Sequence, residues 1–296
     1  MLKHASDETI DGVVLLSDGH ANVGVTNQDE LAALARRGLN TGVSLSTIGL
    51  GLDYNEDIMT SMATAGAGTD HFVENGNAIA SVFQSEFKGL SSTVAKNTVV
   101  TIETSPGVEL LSVKGFRVKT KGQTSTIKLA EFFGSQQKDI LLKFSVSAKT
   151  DGKLSLAKIK LRYNDITDGA NKQYSSRTIQ TTATDKVKDQ KRVNRTVLKR
   201  AQQVATAESF DRAMEQYEEG KADQAAKTIA KQRRSNSSFV KQYDFADDAS
   251  FGRVDTELKE VERKVRAAKP SSTTGKRLRK KQKARSHKIA AEAAAF

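Results

Sequence analysis

The feature that most constrains this chain is a short apolar run near its start, Gly12-Val13-Val14-Leu15-Leu16, which stops abruptly at Ser17-Asp18-Gly19. A continuous apolar run of this length, bounded by polar residues and closed by glycine, reads as a strand buried on both faces of a parallel sheet. Open α/β sheets bind ligands beyond the carboxyl ends of such strands. Ser17 and Asp18 are therefore expected on that rim, with the chain turning above it through Gly19, His20 and Asn22.

Two further strand–helix units follow. Asn27-Gln28-Asp29 is placed to cap a helix over Glu30 to Arg37, and Gly38 ends it. Val43 to Leu50 alternates as a second strand, and Gly49-x-Gly51 opens a tight turn at its end. This glycine pair is not a dinucleotide fingerprint. The third glycine is missing, and the turn leads into Asp53-Tyr54-Asn55-Glu56-Asp57, an acidic segment that repels a pyrophosphate. These side chains have an ordinary role as caps of a helix through Ile58, Met59 and Met62, although Asp53 shares the rim with Asp18. Thr69 to Glu74 reads as a third strand, followed by an amphipathic helix with Ile79, Val82, Phe83, Phe87 and Leu90 on one face. Successive β-α units imply neighbouring parallel strands joined by right-handed crossovers.

The Leu15-Leu16-Ser17-Asp18-Gly19 segment, with Val43 to Gly51, Asp53 to Asp57 and Phe72 to Asn75, resembles von Willebrand factor type A (VWA) domains of bacterial proteins. The resemblance implies a metal-ion-dependent adhesion site holding Mg²⁺ or another divalent cation, to which Asp18 supplies one acidic ligand. It also implies a protein ligand that offers an acidic side chain, and a cell-envelope, periplasmic or secreted setting. In that family the leading ligands come from an Asp-x-Ser-x-Ser loop and a threonine before this strand. Only Met1 to Asp11 precede it here and they hold neither, so the sequence reads as the second half of such a domain, N-terminally truncated. Two consequences are expected. Asp18 is the one ligand of an incomplete site, and a lone carboxylate does not hold Mg²⁺ tightly against water. Val13 to Leu16, lacking a partner on one side, becomes an open apolar edge that a partner chain would complete.

From Asn97 the period changes to two. Thr98 to Glu103, Val108 to Val113, Ser125 to Leu129, Asp139 to Ala148, Leu154 to Tyr163 and Ser175 to Thr184 read as antiparallel strands of a β-sandwich. Asp151-Gly152 and Asp168-Gly169 supply turns. Beyond Asp185 helical spacing returns: a long helix marked by Val187, Val193, Val197 and Val204, a second over Ser209 to Tyr217, a third over Gln224 to Gln232, and another over Glu257 to Ala268. The turn at Gly220 resembles that of tetratricopeptide repeats, but one unit does not make an array, and docking on the sandwich is expected. The expected organisation is an α/β half-domain of VWA type with parallel strands over 1–94, an antiparallel β-sandwich over 95–184, an α-helical region over 185–268, and a basic tail over 269–296.

Composition enters through charge and cysteine. The net charge is +12 and there is no cysteine, which removes disulfides, thiol nucleophiles and zinc–thiolate sites. No apolar run approaches the roughly 20 residues of a membrane helix. Much of the charge lies in Lys276, Arg277, Arg279, Lys280, Lys281, Lys283 and Arg285. Such a run is most simply a solvated, unstructured tail. The functional alternative is a scaffold whose tail binds nucleic acid or an anionic membrane surface. No aromatic is interleaved with these cations for base stacking. Catalysis finds little support: His4, His20, His71 and His287 are scattered, and Ser17 lacks a nucleophile elbow. The resemblance implies a non-enzymatic protein-binding or adhesion module, with the tail-bearing scaffold as the alternative.

Overall fold

The computed structural model describes residues 10–114, 116–129, 131–148, 151–169, 171–185 and 193–291. It divides into two compact units, Met1–Val193 and Asn194–Phe296.

The first unit opens with a three-stranded parallel sheet, β1 (Asp11–Ser17), β2 (Val43–Leu50) and β3 (Ala67–Val73), in the order β1-β2-β3. Helices α1 (Gln28–Asn40) and α2 (Glu56–Ala65) cover one face. There Ala32, Ala35, Met62 and Ala65 close on Leu15, Leu31, Leu45 and Ile58. The short alanines let the helices approach the sheet closely while burying apolar area. Helix α3 (Ile79–Ser91) lies on the other face, where a Cβ at Gly12 would stand 2.9 Å from Leu90. β2 is the buried central strand. β1 is paired on one side only among the described residues, and Leu16 is 43 % exposed. The expected open edge is present, and it leaves the strand read as buried on both faces half-exposed. The apolar stripe of α3 is also less covered than its pattern predicts, with Phe87 73 % exposed.

Strand β4 (Thr93–Thr104) starts the antiparallel part and becomes its hub. With β5 (Val108–Lys114), β6 (Val118–Lys121), β7 (Thr124–Lys128), β8 (Phe132–Phe133), β9 (Leu141–Val146), β10 (Gly152–Asp165) and β11 (Asn171–Ala183) it makes a sheet in the order β11-β10-β4-β7-β6, with β8 on β4 and a separate β5-β9 ribbon. Val100, Ile102, Ile127, Leu129 and Ala157 form the core, and side chains of the ribbon such as Leu110, Leu142 and Phe144 pack on it. All six expected strands are found, β4, β10 and β11 longer than their patterns. β6 and β8 carry no alternation long enough to announce themselves.

The second unit is helical: α4 (Arg195–Glu218), α5 (Ala222–Gln242), α6 (Ala249–Ala267) and α7 (Thr273–Ala291). The separate helices expected over 197–217 are one continuous α4. Val187 lies outside the described residues, and Asn194 caps α4 by accepting from the Val197 amide at 3.2 Å. The helices do not need the sandwich for a core. Phe210, Met214, Tyr217, Ile229, Val254 and Leu258 close on one another between them. A second cluster, Phe239, Phe245 and Phe251, is flanked by the Arg195 guanidinium 4.3 Å above the Phe245 ring. Lys199, hydrogen-bonded to Asp248 at 2.5 Å, and Ser250 hold that carboxyl down to about 2 at the start of α6.

The basic stretch expected as an unstructured tail is helix α7. Leu278 joins the main core, and Lys280, Gln282, Ser286 and Ile289 are buried. Arg279 and Lys283 share Glu218 of α4 at 2.9 and 3.6 Å, Arg285 pairs with Glu257 of α6, and Ser286 donates to Asp211. Burial pushes the Asp211 carboxyl up to about 6, against the opposing Ser286 hydrogen bond. Three of the segment's cations, Arg279, Lys283 and Arg285, are thus ion-paired in docking it. Among the described residues no helix is long and apolar enough to cross a membrane.

Candidate binding rim

The rim is built by the three carboxyl ends of the parallel strands. β1 delivers Ser17, whose hydroxyl donates to the Gly19 carbonyl at 3.2 Å and tightens the turn just past the strand. Asp18, His20 and Asn22 then stand exposed above the sheet. Gly24, with φ of +75°, reverses the chain before Asn27 caps α1 by accepting from the amides of Asp29 and Glu30 at 2.9 and 3.2 Å. The same logic holds at β2. Gly51, at φ +74°, turns the chain, and its amide donates to the Val73 carbonyl at 2.8 Å, tying the second rim loop to the third strand. Asn55, not an acidic neighbour, is the N-cap of α2, accepting from Asp57 and Ile58 at 3.1 Å.

Beneath the second loop, Tyr54 is 1 % exposed and lies so close to β2 that a Cβ at Gly49 would fall 2.1 Å from its ring. Glycine is the residue that fits there. Burial, with the nearby Asp70 and Glu56 charges, pushes the Tyr54 hydroxyl far above its ordinary pKa, so it stays protonated. Asp70 accepts from Thr47 and Thr60, each at 2.9 Å, which satisfies a buried carboxylate without a cation.

The structure therefore brings Ser17, Asp18, Gly19, His20, Asn22 and Asp53 to one end of the sheet, in the loops after β1 and β2, as expected. Asp53 has a partner of its own. The donor set does not fit a divalent cation by itself: among the described residues no three His, Asp or Glu side chains converge, and the Ser17 hydroxyl is engaged with Gly19.

Sequence reasoning missed a polar seam under α3. His71 of β3 lies 2.8 Å from Glu86 of α3, and the Ser46 hydroxyl accepts from the Thr69 amide at 3.1 Å. Burial opposes ionisation of Glu86, but hydrogen bonds from His71 and Ser46 outweigh it and hold the carboxyl below its usual range. Glu131 sits close by, hydrogen-bonded to Ser44, and its pKa is raised by burial. The signal was present in the Ser44-x-Ser46 alternation of β2, which puts two hydroxyls on one face of a buried strand.

No family model matches the chain. Among curated proteins, it is 32 % identical over 98 residues to the uncharacterized protein YfbK of Escherichia coli, covering 33 % of this chain and 17 % of that protein. It is 21 % identical over 173 residues to the uncharacterized protein sll0103 of Synechocystis, covering 55 % and 41 %. The chain thus spans less than half the length of either relative. Among solved structures, the von Willebrand factor type A protein from Catenulispora acidiphila superposes with a TM-score of 0.68 at 14 % identity, over 90 % of this chain and 60 % of that one. The ArnB paralog VWA2 from Sulfolobus acidocaldarius gives 0.51 at 16 % identity, over 95 % and 63 %. Human COPII-coat protein Sec24c gives 0.53 at 11 % identity, over 98 % and 41 %. The parallel sheet with its flanking helices, continued by an antiparallel sheet and a helical unit, has the fold of von Willebrand factor type A structures.

Proposed function

We propose that the chain is a non-enzymatic protein-binding module of VWA type, docking its partner on the rim around Asp18. The observation that supports this most is the placement of Asp18, His20 and Asn22, exposed together beyond the carboxyl end of β1 in a VWA fold. An adhesion role with an acidic ligand group comes from the resemblance, and it needs cation ligands beyond the one carboxylate found here. The open side of β1, which has no strand partner among the described residues, is a second docking element that can accept a strand from a partner.

The test uses a peptide binder selected on the wild-type chain. Asp18→Ala and Asn22→Ala are expected to weaken it at least about tenfold, while Asp168→Ala in a turn of the antiparallel sheet leaves it unchanged. A binder indifferent to both rim substitutions overturns the rim as the docking face. Calorimetric titration of Mg²⁺ into the same chain is expected to show no saturable heat, and Asp18→Ala no change in it.

A further inference from the structure

The outer face of the antiparallel sheet is a solvent-facing basic surface with an aromatic on it. The register sets out that face in rows. Lys128, Val99, Arg162 and Tyr174 lie side by side across β7, β4, β10 and β11. The next row runs Lys119, Thr126, Thr101, Lys160 and Ser176, and the third Lys121, Thr124, Glu103, Lys158 and Thr178. The intervening residues Val100, Ile102, Ile127 and Ala157 point inward to the core, which fixes these rows as outward. Glu103 is the single acid in the rows and pairs with Lys160 at 2.5 Å, an exposed pair that exchanges at little cost. Lys119, Lys121, Lys158 and Arg162 are exposed and have no ion pair among the described residues.

Arg162 and Tyr174, paired across β10 and β11, border a hollow of about 450 Å³ floored by Val99 and Thr101. Tyr174 is 70 % exposed. We propose that this face binds single-stranded nucleic acid, with a base stacked on Tyr174 in the hollow and the phosphates tracked by Lys158, Lys160 and Arg162. Those three cations recur every second residue on β10, about 7 Å apart, a spacing that a flexible unstacked phosphodiester strand matches. A sheet face that combines a stacking ring with cations for the backbone is the general solution for binding single strands without sequence preference. Hydroxyls of Thr101, Thr126 and Ser176 add donors between the cations. The face lacks the protruding apolar side chains that would seat it in a bilayer, with Tyr174 its one exposed apolar body.

The test is fluorescence anisotropy of the full chain with labelled 15-mers of oligodeoxythymidine and oligouridine. Binding is expected to weaken with salt, with a log–log slope of about −3 for four to five phosphates neutralised. Arg162→Ala with Lys158→Ala is expected to weaken binding about tenfold and flatten that slope. Tyr174→Ala should cost about tenfold and Tyr174→Phe almost nothing, because phenylalanine keeps the stacking ring. Lys227→Ala with Lys231→Ala, on exposed positions of α5, should leave binding intact. The proposal is overturned by no binding at about 100 μM protein in low salt, by loss of binding in the Lys227 and Lys231 variant instead, or by a neutral Tyr174→Ala. Equal affinity for phosphatidylglycerol vesicles, unaffected by Tyr174→Ala, would reassign the face to an anionic surface.

Discussion

The first strand and the last helix exchange the environments that their compositions suggest. β1 is almost wholly apolar, yet it sits at a sheet edge with Leu16 43 % exposed. α7 carries the densest run of cations in the chain, yet Lys280 is 1 % and Ile289 0 % exposed. Burial follows the partner surface available to a segment as much as its own hydrophobicity. α4 and α6 offer α7 an apolar seam that receives Leu278, and carboxylates at Asp211, Glu218 and Glu257. Charge that would be prohibitive to bury alone becomes tolerable when paired and hydrogen-bonded. β1 has the hydrophobicity but, among the described residues, a partner on one side only.

Truncating α7 at its core contact is the most severe test of that contrast. Leu278→Ala removes a side chain 5 % exposed in the main helical core and is expected to cost about 3 kcal/mol of stability, read by denaturant unfolding of the helical signal. A cost below about 1 kcal/mol would mean that α7 is not integral to the unit.

The next effect belongs to the rim. Gly49→Ala places a Cβ 2.1 Å from the Tyr54 ring and is expected to destabilise the parallel sheet by about 2 kcal/mol. Thermal unfolding followed by tyrosine fluorescence measures it.

A pH effect separates the two units. The folded pKa of Asp211, about 6, lies above its ordinary 3.8, so the folded helical unit binds this proton more tightly than the unfolded chain. The associated stability is present below pH 3.8 and is lost as pH rises through about 6. Glu257, also raised by burial, acts in the same direction. Melting temperatures of the helical signal should therefore fall across this window, and Asp211→Asn should flatten the fall. An unchanged profile in Asp211→Asn would show that the α4–α7 contact does not sense this carboxyl.

The smallest effect is expected where composition suggests a large one. Leu16→Ala at the open edge should cost under about 1 kcal/mol, because much of that side chain is already in water. A loss as large as that of Leu278→Ala would show that β1 is covered in solution and would break the comparison.

Local signals carried much of the architecture. A continuous apolar run placed β1, local pattern placed β2, β3 and the helices between them, and the change to period two announced β4 onward. Asn27 at the start of α1 and the Gly51 turn were legible because caps and positive-φ turns are decided within a few residues. The rim was legible for the same reason: once the strands are parallel, Ser17, Asp18 and Asp53 must share an end of the sheet. β6 and β8 were not legible, because strands of four and two residues gain their stability from neighbours rather than from their own pattern.

What the sequence determined by itself is the succession of elements and the rim that parallel strands force on Asp18. The tertiary structure alone decided which surfaces are charged and which are covered. Lys158, Lys160 and Arg162 are unremarkable alternate residues in the sequence and become a cationic face beside Tyr174 only through the register of β4, β10 and β11. In Lys276 to Arg285, the conspicuous basic run, Arg279, Lys283 and Arg285 pair with carboxylates distant in sequence. Long-range pairing sets the position of every side chain relative to water and to opposite charge, and no window along the chain contains that information.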